Sequence, residues 1–137
     1  MKHEMRKWIC ALATLAGLTG AGAMILSAAD AHLLSDIRLQ RAADLLLFHA
    51  VAALALCGLA LLVPRRGSWF VSAAGTLLSG SLIFACDMTL RAAFGARLFP
   101  MAAPTGGSLL ILGWIIVTIS AAAALWPSPS GTGDENT

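Results

Sequence analysis

The sequence predicts an all-α, polytopic membrane protein folded as a four-transmembrane-helix bundle. The first observation is composition: of 137 residues, 58% are hydrophobic and 12% are charged, whereas a soluble domain is about 45–50% apolar and about 25% charged. The second is the presence of four apolar runs, each near the roughly 20 residues that a helix needs to cross a hydrocarbon core. The third is that all the prolines lie outside these runs. Backbone amides in lipid must be bonded within their segment, so each run should be helical.

The predicted spans are residues 8–29, 43–63, 69–88 and 107–126. The first and fourth carry no charge, the second contains Asp44 and His49, and the third ends beside Asp87. A basic tail over residues 1–7 precedes the first span, and a polar tail over residues 127–137 follows the fourth. We expect this C-terminal tail to be disordered, because it is short and polar and follows a proline.

The three connections have different sequence characters. Residues 64–68 form a short basic turn that can join only antiparallel neighbours. In the first connection, Ser35 is the expected N-cap of the second helix, with Asp36 in its first turn. The third connection mixes arginines with large apolar residues over positions 89–99, which predicts a short interfacial helix that ends before Pro100 and Pro104.

The first span also admits a second interpretation, as a signal peptide cleaved near Asp30. Its apolar run is longer than the 7–15 residues usual for a secretory signal, which favours a retained span. Orientation is weakly encoded. Five of the nine positive side chains lie with the termini and the second connection, so the positive-inside rule places both termini in the cytoplasm.

Small residues at three- and four-residue spacing predict where the helices pack, because close approach of backbones drives association in lipid. The candidate packing positions are Gly17, Ala21, Gly80, Gly106, Gly107 and Gly113. Bulkier residues on the other faces should meet lipid or a second subunit. The alternative is that glycine and alanine are simply common in membrane helices.

An even number of crossings places the first and third connections on one side of the membrane, which gathers several polar side chains there. The candidate polar pocket comprises His49, His32, Asp44, Asp87, Ser79 and Ser81. His49 lies deepest, about 9 Å below the start of its span, and intramembrane ionisable groups often mark ion or proton paths. The competing interpretation is a neutral histidine hydrogen-bonded across helices to Ser79 or Ser81. Asp87 with Arg91, and Asp44 with Arg41, have the spacing of helix ion pairs.

Other chemistries find little support in the sequence. There is no catalytic motif and no expected metal site or cofactor, since no ligand spacing such as HExxH occurs and only one histidine lies inside a span. The three cysteines all lie in apolar runs, where they act as small hydrophobic residues. A formal net charge of +2 and the lack of a basic patch with aromatics exclude nucleic acid as an expected partner. The expected partners are the lipid bilayer and, beyond it, a homo-oligomer or other membrane proteins.

Three stretches taken together resemble a known family. They are residues 27–34 around His32, residues 48–56 around His49, and the segments at 78–82, 104–107 and 112–114, which carry Ser79, Gly80, Ser81, Pro104, Gly106, Gly107, Gly113 and Trp114. Their order and spacing, from about Gly17 to Trp126, are similar to the domain of unknown function 423 family of small membrane proteins. Ser27, Ala29 and Asp30 stand where that family has Gly, Phe and Gly.

The resemblance implies a four-helix integral protein of the bacterial inner membrane, and it implies no reaction. We therefore expect a protein that is not an enzyme and has a structural or accessory role in the membrane. The alternative function is a proton-linked small transporter or channel-like module that uses His49.

Overall fold

The computed structural model of the chain describes residues 2–125, and it contains four long helices. They are α1 (Lys2–Ala29), α2 (Ile37–Leu62), α3 (Gly67–Phe94) and α4 (Ala102–Leu125). All four are long and apolar enough to cross a membrane. The all-α, four-helix membrane fold predicted from the sequence is therefore confirmed. The predicted span end at Trp126 and the predicted tail at 127–137 lie outside the described residues.

Each helix extends beyond the apolar run that predicted it. α1 includes residues 2–7 of the predicted basic tail, where Lys7 and Glu4 form an exposed ion pair with an Nζ–Oε1 distance of 2.9 Å. The apolar run reports only the part of a helix that hydrocarbon surrounds. Its ends continue into the polar interface, where charged side chains are solvated at little cost.

The first connection differs from its prediction by one residue. The N-cap of α2 is Asp36, whose carboxylate accepts a hydrogen bond from the Arg38 N–H at 2.8 Å. Ser35 instead adopts a left-handed conformation with φ of 45°, and its N–H donates to the Asp30 carbonyl at 3.0 Å. α1 ends in a wide helical turn over Asp30–Leu34, so Ser35 makes the reversal and cannot also act as the cap.

The short interfacial helix predicted for the third connection is not present, because α3 continues unbroken to Phe94. Gly95 ends it with φ of 65°, a conformation that glycine adopts without strain. α4 then begins at Ala102, ahead of the predicted start. Pro104 lies in the first turn of α4, where a missing N–H breaks no helical hydrogen bond.

α3 is the central helix of the bundle. It packs against α1, α2 and α4, whereas α4 packs chiefly against α3. The largest fully buried apolar side chains include Leu77 and Leu78 of α3 and Leu39 of α2. The first and third connections lie at the same end of the bundle, since Arg38 Nη1 donates to the Arg91 carbonyl at 3.4 Å.

Three of the predicted packing positions lie where helices approach closely. A Cβ on Gly106 would lie 2.8 Å from the Gly80 carbonyl oxygen, a Cβ on Gly80 would lie 2.9 Å from the Gly106 carbonyl oxygen, and a Cβ on Gly113 would lie 2.5 Å from Leu77. At Gly80 and Gly106 the backbones of α3 and α4 meet directly, and Gly113 makes room for the Leu77 side chain. These are the small-residue contacts that pack helices in lipid.

The other three positions lie elsewhere. A Cβ on Gly17 or Gly107 would meet nothing within 4 Å, and Gly17 and Ala21 are exposed. The buried face of α1 instead carries Ile9, Ala16, Thr19 and Ala23. α1 has small residues on every side, so spacing alone could not identify the face that packs.

Candidate functional site

His49 lies on the buried side of α2, with 6% of its surface exposed. Its Nδ1 is 2.8 Å from the Leu45 carbonyl oxygen on the same helix, and its Nε2 is 3.4 Å from Nε1 of Trp114 on α4. An indole N–H can only donate, and a carbonyl oxygen can only accept. Nε2 is therefore the acceptor and Nδ1 carries the proton, so both contacts together require the neutral imidazole.

Three rings, those of Phe48, His49 and Trp114, pack together at this contact and connect α2 to α4. The Phe48 ring meets the His49 ring edge to face with centroids 5.2 Å apart, and it lies 5.9 Å from the Trp114 ring. The His49 and Trp114 centroids are 6.2 Å apart. Aromatic pairs in this range and geometry are favourable beyond their buried area. The polar contact of His49 is thus part of an apolar, aromatic helix–helix contact.

The serine partners predicted for His49 are not used. Ser81 is buried and donates to the Leu78 carbonyl of its own helix at 2.9 Å, while Ser79 is exposed. Serine hydroxyls in helices commonly bond a carbonyl one turn back. That local bond competed successfully with the predicted bond across helices, and Trp114 supplies the donor instead.

Asp87 forms a second buried polar centre at the end of the bundle that holds the first and third connections. Its carboxylate is fully buried and accepts hydrogen bonds from Arg91 Nε at 2.7 Å and from the Leu98 N–H at 2.9 Å. The predicted Asp87–Arg91 helix pair is therefore present. Because Leu98 belongs to the third connection, Asp87 also attaches that connection to α3.

The carboxylate of Asp44 borders a groove that reaches His49. The groove has a volume of about 380 Å³ and is lined by Arg41, Asp44, Leu45, Phe48, His49 and Phe84. A neighbouring groove of about 520 Å³ shares Asp44 and Phe48 and continues along α2. The predicted ion pair between Asp44 and Arg41 is not formed, and among residues 2–125 neither side chain has a hydrogen-bonding or ion-pair partner.

The structure thus brings together two of the six predicted pocket residues, His49 and Asp44. Asp87 belongs to the separate centre with Arg91, and His32 is exposed on the turn that ends α1. Within the described range, no three potential metal ligands from His, Cys, Asp and Glu lie close enough together to hold an ion.

Trp114 is the site residue that sequence reasoning did not select. Its position inside a span was a usable signal, because membrane tryptophans concentrate at the interfaces, as Trp8 and Trp69 do at span ends. An indole N–H at mid-span needs an acceptor. His49 is such an acceptor at a similar depth of a neighbouring helix.

The fold and these contacts define a multi-pass membrane protein whose helices are joined by a few buried polar contacts. The family model described as Protein of unknown function (DUF423) matches residues 21–107. The chain belongs to that family, in agreement with the resemblance given by its motifs. No curated protein and no solved structure matches the chain.

Proposed function

We propose that this chain is a non-enzymatic integral protein of the bacterial inner membrane with a structural or accessory role. The observation that carries the proposal is that its buried polar groups are paired among residues 2–125 themselves. Every buried side-chain nitrogen and oxygen of residues 2–125 has a hydrogen-bond partner. His49 connects α2 to α4, and Asp87 connects α3 to the third connection.

This arrangement supports stability better than proton transfer. A proton carrier must accept and release a proton near the working pH, whereas protonation of His49 would set a second donor on Nε2 against the Trp114 N–H. The contact that positions His49 is thus lost when the side chain becomes charged. An accessory role leaves the outer helix faces for lipid, for other membrane proteins or for a second copy of the chain.

Membrane orientation is part of the proposal. Both termini face the cytoplasm, together with the basic turn at Arg65 and Arg66, as the positive-inside rule favours. A fluorescent reporter fused after Thr137 should be active in the cytoplasm. An alkaline phosphatase fusion at the same position that is active in the periplasm would reverse the assignment.

The proposal is tested by separating stability from transport. The purified chain is reconstituted in liposomes with a trapped pH-sensitive dye, and proton entry is compared with that in empty liposomes. We expect equal rates, and we expect His49→Gln to lower the thermal stability of the protein in detergent without changing the rate. Proton entry well above that of empty liposomes, abolished by His49→Gln, would overturn the proposal.

One observation favours the second candidate function, a proton-linked transporter. The groove lined by Arg41 and Asp44 leads to His49 from the end where the first and third connections lie. The liposome experiment above decides between the two functions, because only the transporter requires a flux that depends on His49.

A further inference from the structure

Arg41 and Asp44 lie near the level at which α2 enters the hydrocarbon. α2 has 26 residues, which gives a length of about 39 Å, against a core of about 30 Å. Arg41 is about 6 Å and Asp44 about 10 Å from the start of the helix at Ile37. The two side chains therefore lie where phospholipid headgroups meet the acyl region.

Asp44 differs from the other aspartates at this end of the bundle. Asp30 accepts a hydrogen bond from the Asp36 N–H, Asp36 accepts one from the Arg38 N–H, and Asp87 accepts two. Asp44 accepts none from residues 2–125 and is exposed. Charged side chains at this level reach the membrane interface, where they can pair with lipid headgroups. Residues 2–125 provide no counter-group for Asp44 or for Arg41, so a lipid headgroup is a candidate partner for both charges.

The two charges are neighbours, and an open, mostly apolar groove on the surface of α2 begins at Asp44. Residues three apart on a helix have Cβ atoms about 5–6 Å apart. The groove lined by Arg41 and Asp44 adjoins a second groove, which runs along α2 past Leu47, Phe48, Val51 and Ala52 to Ala55. The two grooves together are called the groove from here on. Eleven residues of helix rise about 16 Å, which is close to half of the roughly 30 Å core, the depth that one lipid leaflet occupies.

We propose that this groove binds one phospholipid whose headgroup carries both a phosphate and a primary ammonium, as in a phosphatidylethanolamine. The phosphate accepts from the Arg41 guanidinium, the ammonium donates to the Asp44 carboxylate, and one acyl chain lies along the groove to Ala55. A purely anionic headgroup would leave Asp44 unpaired and repelled. A quaternary ammonium would have no N–H to donate to the carboxylate.

The test is a lipid-retention experiment on the full chain. Delipidated protein is mixed with phosphatidylethanolamine, phosphatidylcholine and phosphatidylglycerol of identical acyl chains, and the bound lipid is measured by native mass spectrometry. We expect phosphatidylethanolamine to be preferred over each of the others by about tenfold, the effect of roughly one charge-assisted hydrogen bond. Soluble phosphoethanolamine should compete poorly, because it lacks the chain that fills the groove.

Matched variants identify the groups responsible. Asp44→Asn should abolish the preference for phosphatidylethanolamine over phosphatidylglycerol, and Arg41→Gln should weaken retention of all three lipids. Val51→Trp, which fills the groove and leaves the charges intact, should also reduce retention. The controls Glu4→Gln and Arg66→Gln lie at the opposite end of the bundle and should behave as the wild type. Circular dichroism melting verifies that each variant is folded.

Several results would overturn the proposal. One is a wild-type protein that retains the three lipids equally. Another is an Asp44→Asn variant with the same preference as Glu4→Gln, or retention unaffected by Val51→Trp. A dimer that forms through this groove and excludes lipid would show that a second copy occupies it. Competition by soluble phosphoethanolamine as strong as by the lipid would remove the role of the groove.

Discussion

The close contact between α3 and α4 makes a quantitative prediction at Gly106. The change Gly106→Ala places a Cβ 2.8 Å from both the Gly80 carbonyl oxygen and the Phe84 backbone nitrogen. Neither is the end of a flexible side chain, so α4 must move away from α3. Overpacking of this kind typically costs about 1–3 kcal/mol. Because backbone atoms are involved, we expect the upper half of that range, about 2–3 kcal/mol.

The neighbouring position supplies the control. At Gly107 a Cβ meets nothing within 4 Å, so Gly107→Ala gives only the gain in helix propensity, up to about 1 kcal/mol. Both variants gain the higher helix propensity of alanine, so the difference between their free energies of unfolding isolates the steric cost. We therefore expect Gly106→Ala to be less stable than Gly107→Ala by about 2–3 kcal/mol.

The assay is reversible unfolding of the detergent-solubilised protein by increasing the mole fraction of sodium dodecyl sulfate, followed by circular dichroism. Tryptophan fluorescence gives a second signal, because α4 carries Trp114. If Gly106→Ala and Gly107→Ala unfold at the same mole fraction, the predicted steric cost is absent and α3 and α4 do not pack through Gly106.

Three further predictions concern the His49–Trp114 contact, the Asp87 carboxylate and the backbone of Ser35. Trp114→Phe keeps an aromatic ring at this position but removes the N–H that donates to His49. It should lower the unfolding free energy by about 1 kcal/mol in the same titration, and no change would show that the contact contributes nothing. Asp87→Ala leaves the Arg91 and Leu98 donors without their acceptor and should cost about 3 kcal/mol, with faster proteolysis of the third connection; unchanged proteolysis would contradict the attachment. Ser35→Gly relieves the strain of a left-handed backbone, so it should raise the free energy of unfolding by about 0.5 kcal/mol and the melting temperature slightly. A lower melting temperature would argue against that conformation.

The sequence was most informative where one physical requirement leaves one solution. Hydrocarbon requires internally bonded backbone, so apolar run length was enough to predict four helices. The Asp87–Arg91 pair was also predictable, because residues four apart on a helix are neighbours whatever the rest of the fold does. The family membership of the protein followed from short motifs that can be read without any structure.

Only the tertiary structure decided how each helix is rotated about its axis and which side chains meet across helices. Small residues occur on every face of α1, so their spacing could not exclude Gly17 and Ala21 from the packed face. Contact between α3 and α4 selected Gly80, Gly106 and Gly113. The choice of Trp114 as the partner of His49 depended on the rotation and depth of two separate helices. Apolar hydrocarbon requires that a helix forms but does not favour any one rotation about its axis. Packing against neighbouring helices determines that rotation.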